Sequence, residues 1–160
     1  MIGNNIIPLS FNADLTTNYG YGGLSDYLAG AASNYCVMEI VAPSDRMVYV
    51  MSTTIRQTGD WYAYKTDGSI ITSGAESLPL TLVNQRGSFD CTSTLRAGLT
   101  TAVNPVHGFL NSFAVGTGIG THRDLPMPVV LKPGETFTLK GETLNQATLF
   151  GVEWLEFISK

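Results

Sequence analysis

The chain has 160 residues, of which 44% are hydrophobic and 14% charged, and its formal net charge at pH 7 is −4. A chain of this length most simply forms one domain, which buries about 70% of its extended-chain surface. The hydrophobic content excludes a disordered protein. The nine Lys and Arg residues form no basic run and no apolar stretch is long enough to cross a bilayer, which excludes nucleic-acid and membrane partners.

The low charged fraction is itself informative, because an average domain has roughly 25% charged residues. Gly, Thr, Ser and Asn take the place of the missing charge. A neutral hydroxyl costs less to desolvate than an ion does. This composition indicates that much of the surface faces other subunits, and the alternative is a monomeric β domain that is poor in charge.

The first 34 residues are predicted to form an N-terminal arm or loop region. Residues 18 to 27 are rich in Gly and Tyr, and the small residues of 29 to 33 follow them. Glycine makes such a segment costly to order alone, whereas tyrosine supplies large amphipathic contacts once the segment is docked. We expect an extended arm ordered against a neighbouring molecule, and the alternative is a pair of loops on the domain's own surface.

Strand signals begin at Tyr35 and recur at intervals of about 8–12 residues, which is typical of a sandwich or barrel. We predict hairpins at Ala42–Asp45 and at Asp67-Gly68, since both carry turn residues between apolar runs. The predicted strands are Tyr35–Val41, Met47–Ile55, Trp61–Tyr64, Ser69–Ile71, Leu78–Val83, Phe89–Leu95 and Val106–Val115. A short helix is the alternative for the last of these.

The final third of the chain gives the clearest signal. Apolar runs flank Pro133-Gly134, where Pro presets its φ and Gly supplies the positive φ of a type II turn. Polar and apolar residues alternate from Glu135 to Lys140, and another apolar run extends from Ala147 to Phe157. No segment shows a helical stripe with caps, so the fold is predicted to be all-β, an antiparallel β-sandwich or jelly roll over residues 35–160.

No motif builds a convincing reaction centre. The glycine run of 116–120 is not followed by a helix that could hold a phosphate, because Pro126 and Pro128 come soon after it. We interpret His122-Arg123-Asp124 as a surface loop without a third metal ligand at a helpful spacing. The sequence therefore predicts no catalytic residue, no cofactor and no metal, and a protein that is not an enzyme.

The two cysteines, Cys36 and Cys91, lack the spacing of a disulfide framework or zinc site. Both lie in or beside strand-like segments, so we predict buried, reduced thiols. Together with the missing secretory pattern, this favours synthesis in a reducing cytoplasm.

The densest aromatic cluster is Trp61, Tyr62 and Tyr64. Alternation along a strand places Trp61 on one face with Ala63, and the two tyrosines on the other. We interpret the cluster as core or interface packing. The alternative is an aromatic surface that stacks on sugar rings, with Trp61, Tyr62 and Tyr64 as the glycan-binding residues.

The last predicted strand is apolar on both faces. Val152 and Trp154 share one face with Phe150, while Leu155 and Phe157 lie on the other. Such a strand is either central in a sandwich or covered by another subunit.

The segment from Pro128 to Phe157, with its strand, Pro-Gly turn, strand, link and final strand, resembles the closing part of β-sandwich virion proteins of tailed bacteriophages. Capsid decoration (cement) proteins and some tail or fibre modules are of this kind. The resemblance implies a jelly-roll or similar fold, a homo-oligomer that is commonly a trimer, and a structural role on the virion after synthesis in the host cytoplasm. Its partner would be the major capsid protein or another virion protein.

Under this interpretation, the candidate residues fall in two groups. Tyr19, Tyr21, Leu24 and Tyr27 would be the contacts of the arm with capsid or subunit. Val152 and Trp154 would lie in the core or at a subunit interface. The alternative function is a carbohydrate- or receptor-binding module of a tail or fibre.

Overall fold

In the computed structural model every regular element of the described residues is a β-strand. The structure describes residues 17–24, 28–57, 61–66, 68–78, 80–82, 91–101, 109–113 and 121–158. The strands are β1 Thr17–Gly23, β2 Tyr35–Val41, β3 Arg46–Arg56, β4 Trp61–Thr66, β5 Ser73–Ser77, β6 Leu80–Leu82, β7 Thr94–Thr100, β8 Phe109–Phe113, β9 Thr121–Leu131, β10 Thr136–Gly141 and β11 Leu149–Ile158. Among these residues, no helix is long and apolar enough to cross a membrane.

The strands form two antiparallel sheets. The first sheet has the order β6-β1-β11-β3-β9, and the second has the order β5-β7-β2-β10-β4-β8. Eight of the strands make the four-stranded units β1-β11-β3-β9 and β2-β10-β4-β8, and the chain passes between the two units as a jelly roll does. The remaining strands widen the sheets beside β1 and β2. The prediction of an all-β antiparallel sandwich is confirmed.

The hydrophobic core lies between the two sheets. Alternate residues of each strand point into it, as the two-residue period of a strand requires. In β10, for example, Phe137 and Leu139 belong to the core, whereas Thr138 and Lys140 lie on the outer face of the second sheet. The largest fully buried apolar side chains are those of Trp61, Trp154, Phe137, Phe150, Met38, Ile40, Ile55, Leu95, Leu131 and Leu139.

The described part of the segment predicted as an arm is a strand of the sandwich. β1 pairs with β11 along its whole length, and Gly20 lies opposite Trp154. A Cβ atom on Gly20 would lie 2.5 Å from the indole ring, so the glycine leaves room for Trp154 to cover it. Gly20 is therefore explained by close packing across a strand pair. Residues 1–16 and 25–27 lie outside the described residues.

The two predicted hairpins are not formed. β2 and β3 belong to different sheets, so the turn at Ala42–Asp45 carries the chain across the sandwich. β4 pairs with β8 and β10, whereas residues 70 and 72 after it bond to Glu39 and Leu99. Turn residues predicted the turn at Ala42–Asp45, whereas Asp67 lies outside the described residues. The partners of β2, β3 and β4 are distant in the sequence.

The predicted type II turn at Pro133-Gly134 is present. Gly134 has a φ of 82°, and the Glu135 N–H donates to the Lys132 carbonyl at 3.0 Å. The turn connects β9 of the first sheet to β10 of the second. Its Gly134 N–H donates to the Ala42 carbonyl, so two of the crossings between the sheets support each other.

The segment His122–Asp124 was predicted as a surface loop but lies in β9, where it pairs with residues 52–54 of β3. β9 is an edge strand of the first sheet, which is where a strand can accept Pro126 and Pro128. The pairing is irregular between Val50 and Ser52, opposite these prolines. The glycine run of 116–120 lies outside the described residues.

Candidate binding surfaces

The outer face of the first sheet is aromatic and apolar. Because Gly20, Val48 and Val50 face the core, their neighbours Tyr21, Met47 and Tyr49 face outward. Tyr21 is 44% exposed and Val130 is 37% exposed. We call the surface formed by Tyr21, Met47, Tyr49, Val130 and Phe157 the tyrosine face.

Two contacts hold the tyrosine face in place. The rings of Tyr49 and Phe157 meet edge to face with centroids 4.6 Å apart. The Ser52 hydroxyl donates to Glu153 Oε2 at 2.7 Å, which holds a carboxylate at the middle of the face. The result is an aromatic surface whose central charge is hydrogen-bonded within the protein.

The predicted interface residues separate into two environments. Tyr21 lies on the tyrosine face, and Leu24 packs against the core while its N–H donates to the Phe150 carbonyl. Val152 and Trp154 are buried inside the sandwich, so they are core residues and present no surface to a subunit. Of the two other candidates, Tyr19 lies in β1 beside Leu155, and Tyr27 lies outside the described residues.

The last strand, β11, is apolar on both faces and lies in the centre of its sheet between β1 and β3. A central position is one of the two explanations that were predicted for this pattern.

The aromatic cluster of β4 is divided between the core and the second sheet's outer face. Trp61 is 0% exposed and packs in the core with Ala63, so it cannot serve as the sugar-stacking residue of the predicted alternative. Tyr62 and Tyr64 share the outer face, with ring centroids 6.1 Å apart and planes at 66°. The predicted alternation is therefore present, and it leaves the two tyrosines as the candidates.

A lysine–glutamate pair lies beside these tyrosines. Lys140, which is fully buried, donates to Glu142 Oε1 at 2.5 Å and lies 4.0 Å from the centroid of the Tyr35 ring. The Tyr64 hydroxyl donates to the same Glu142 oxygen at 3.3 Å. We call Tyr35, Tyr62, Tyr64, Lys140 and Glu142 the lysine–tyrosine cluster.

Burial governs the protonation of this cluster. Desolvation lowers the pKa of Lys140, and the hydrogen bond and charge of Glu142 offset only part of that effect. Desolvation also raises the pKa of Tyr64, and the neighbouring Glu142 carboxylate raises it further. Tyr64 therefore stays a neutral hydroxyl donor at physiological pH.

Glu156 forms the best-satisfied buried carboxylate of the described chain. It is 0% exposed, and Oε1 accepts from the Ser93 hydroxyl at 2.5 Å, the Ser93 N–H at 2.9 Å and the Trp154 indole at 3.2 Å. Its Oε2 accepts from the Thr92 N–H and from Arg46 Nη1 at 2.9 Å. This carboxylate ties the segment before β7 to β3 and β11, which is a structural role.

The Glu156 carboxylate should make stability depend on acid pH. Burial by itself raises the pKa of this carboxyl, but the hydrogen bonds from Ser93, Thr92 and Trp154 outweigh burial and hold the pKa below its ordinary value. A carboxyl with a lowered folded-state pKa stabilises the fold fully above its unfolded pKa, and this stabilisation is lost as pH falls through the folded value. We expect urea denaturation between pH 7 and pH 3 to show a steeper loss of unfolding free energy for the wild type than for Glu156→Gln. Equal pH slopes would contradict this assignment.

A second buried carboxylate, Glu39, also has a structural role. Its Oε2 accepts from Arg96 Nε at 3.0 Å, and its Oε1 accepts from the Ile70 N–H at 2.6 Å. These bonds hold the segment before β5 over the outer face of the second sheet. The positive charge of Arg96 thus balances the carboxylate of Glu39.

The described side chains show no arrangement suited to metal binding, since no group of three His, Cys, Asp or Glu residues there could hold an ion. Cys36 is buried, its thiol donates to the Gln146 carbonyl at 3.1 Å, and burial raises its pKa. Cys91 is partly exposed, and neither cysteine forms a disulfide. The prediction of a buried thiol is thus confirmed for Cys36, whereas Cys91 is only partly covered.

Sequence reasoning missed Tyr35, Lys140, Glu142 and Glu156 as members of polar clusters. The alternation from Glu135 to Lys140 placed Lys140 on the strand face that points away from the core, but a strand pattern does not show whether that outer face is covered.

Comparison of the chain with models of protein families, with curated proteins and with solved structures gives no match.

Proposed function

We propose that this protein is a structural virion protein that binds the surface of a phage capsid and stabilises the shell. The jelly-roll connectivity supports this proposal, because viral capsid proteins and lectins both use it. A fold alone does not determine a function, because function depends on the surface that the fold presents.

The observation that carries the proposal is the tyrosine face. Tyr, Phe and Met are enriched at protein–protein interfaces, while Lys, Glu and Asp are depleted there. The face presents Tyr21, Met47, Tyr49 and Phe157 from the neighbouring strands β1, β3 and β11, and Glu153 beside them accepts a hydrogen bond from Ser52. Docking on capsid protein would bury these apolar side chains favourably, and the Glu153 carboxylate would need a hydrogen-bond partner or a water molecule at the contact.

Binding would stabilise the shell by mass action. A protein that binds the assembled shell and not its dissociated subunits shifts the assembly equilibrium towards the shell. No chemical step is needed, so rigid placement of a few aromatic anchors on a sandwich is sufficient. Tyr21 and Tyr49 are the anchors that we assign to this contact.

Loss of the tyrosine face should abolish capsid binding. We expect Tyr21→Ala combined with Tyr49→Ala to weaken co-sedimentation with capsids of the encoding phage at least 100-fold, since interface aromatics contribute about 2 kcal/mol or more each. Leu144→Ala is the matched control, because Leu144 is exposed outside this face. Unchanged binding by the double variant, with circular dichroism showing both proteins folded, would contradict the proposal.

Residues 1–16 can be tested separately from the face. Deleting residues 1–30 would remove β1 and uncover Trp154, so that truncation cannot isolate an arm. A chain beginning at residue 17 keeps β1 and the tyrosine face. The same co-sedimentation measurement on this shorter chain separates the contribution of the first 16 residues from that of the sandwich.

We also propose that the sandwich acts as a closed homo-oligomer, a trimer, at the virion surface. The proposal is supported by the low charge of the chain, in which 14% of the residues are charged. Light scattering behind a sizing column is expected to give three times the chain mass of 17.2 kDa. A mass of one chain at high protein concentration, together with single separate copies on the capsid surface, would contradict the trimer.

A further inference from the structure

The lysine–tyrosine cluster has a buried base and a solvent-facing rim. Lys140 and Tyr64 form the base, since both are buried. Tyr35, Tyr62 and Glu142 form the rim, where the rings are partly exposed and the Glu142 side chain is 18% exposed. Aromatic rings around a few oriented polar atoms are the usual composition of a small-ligand site.

The buried base orients the carboxylate of the rim. Glu142 Oε1 accepts from both Lys140 Nζ and the Tyr64 hydroxyl, so this oxygen is held on the protein side. The other oxygen, Oε2, has no hydrogen-bond partner within the described part of the chain. An ionised carboxylate oxygen accepts two hydrogen bonds, so Oε2 is a fixed acceptor available to a ligand.

Strand geometry places the two rim tyrosines on either side of this acceptor. Lys140 of β10 is paired with Tyr62 of β4 and with Val37 of β2, and Tyr35 lies two residues before Val37 on the same face. The two flanking strands are about 10 Å apart, or two strand spacings. The rim is therefore long enough for an extended ligand of more than one ring.

The charge of the cluster limits the ligand class. The Lys140 ammonium balances the Glu142 carboxylate, and Arg96 balances Glu39 on the same face of the sheet. A phosphate or sulfate would be repelled by the Glu142 carboxylate, because Lys140 is already paired with that carboxylate. A cationic ligand would have to compete with Lys140 for the same carboxylate. A neutral ligand that donates hydrogen bonds and has an apolar C–H face meets none of these penalties.

We propose that the rim of Tyr35, Tyr62 and Glu142 binds a neutral oligosaccharide. The C–H face of a pyranose packs on the electron-rich face of Tyr62, and hydroxyl groups of the sugar donate to Glu142 Oε2. Lys140 and Tyr64 are positioning residues that hold the carboxylate. The site lies on the sheet opposite the tyrosine face, so one protein can bind a capsid and a glycan at the same time.

An array of neutral hexose and N-acetylhexosamine oligosaccharides, printed beside sialylated and sulfated ones, tests the site. Wild-type protein is expected to bind neutral glycans, and Tyr62→Ala is expected to lose at least ten-fold in binding. The double variant Tyr21→Ala with Tyr49→Ala, on the other sheet, is the control that should bind glycans as the wild type does. If this variant binds glycans but has lost capsid binding, the two proposals are tested separately.

Because Glu142→Gln leaves Lys140 buried without its carboxylate, the double variant Lys140→Met with Glu142→Gln is the second test. It removes both charges, and circular dichroism reports whether it folds. A folded double variant that no longer binds neutral glycans supports the carboxylate contact. Absence of binding by the wild type, preference for anionic glycans, or unchanged binding by Tyr62→Ala would each overturn the proposal.

Discussion

Replacing Glu156 by Ala is expected to lower the free energy of unfolding by about 3–5 kcal/mol, the cost of breaking a buried ion pair by removing one partner. The carboxylate is the shared acceptor of Ser93, Thr92, Trp154 and Arg46. Alanine removes that acceptor and leaves a cavity between β3, β11 and the segment before β7. Urea denaturation followed by circular dichroism measures the loss.

Glu135→Ala is the matched control for this substitution. Glu135 forms an ion pair with Lys65 on the surface, where both side chains are partly exposed. Exposed pairs contribute no more than about 1 kcal/mol, so the control should lose much less stability than Glu156→Ala. Similar losses in the two variants would show that burial of Glu156 is not what makes it important.

Substituting Gly20 by Val is expected to destabilise the sandwich, although valine normally favours a strand. The Cβ of any residue at this position would lie 2.5 Å from the Trp154 ring, which is packed in the core. Overpacking a core costs about 1–3 kcal/mol, which exceeds the roughly 0.5–1 kcal/mol that a strand gains when glycine is replaced by alanine. We expect Gly20→Ala to lower the melting temperature and Gly20→Val to lower it further.

Gly68→Ala is the control, since no atom lies within 4 Å of a Cβ at that position and its φ is not in the left-handed region. It should be neutral or slightly stabilising. A smaller side chain at position 154, opposite residue 20, should relieve the clash. Trp154→Phe is therefore expected to lower the free energy of unfolding less in the Gly20→Ala background than in the wild type. Additive losses in this double-mutant cycle would contradict direct contact between the two positions.

Local sequence patterns predicted several elements of this fold, although they did not predict β1 or the first residues of β9 as strands. The predicted strand Tyr35–Val41 matches β2, and the Pro133-Gly134 turn has the predicted φ and hydrogen bond. Strand period and turn chemistry are properties of a few consecutive residues, so they can be read from the chain directly. The all-β class follows from the repetition of such signals.

The pairing of the strands could not be predicted in the same way. β2 pairs with β7 and β10, which lie about 60 and 100 residues further along the chain. Adjacent strands were expected to form hairpins, but in a jelly roll consecutive strands largely alternate between the sheets. For the same reason the Gly/Tyr segment was interpreted as an arm, because its partner strand, β11, is the last in the chain.

The candidate surfaces were predictable only in part. Alternation separated Tyr62 and Tyr64 from Trp61, and it placed Val152 and Trp154 on one face of the last strand. Alternation does not distinguish a covered outer face from an open one, so the burial of Lys140 and Glu156 was not foreseen. These charged residues are buried because partners from distant strands satisfy them, and such partners leave no local pattern in the sequence.

Cryo-electron microscopy of phage particles assembled with and without this chain tests the proposed function most directly. Our account predicts additional density on the outer capsid surface, shaped as a two-sheet sandwich, with the sheet β6-β1-β11-β3-β9 and Tyr21 facing the shell. Particles that show no difference between the two preparations, or a sandwich that contacts the shell through its opposite sheet, would contradict it.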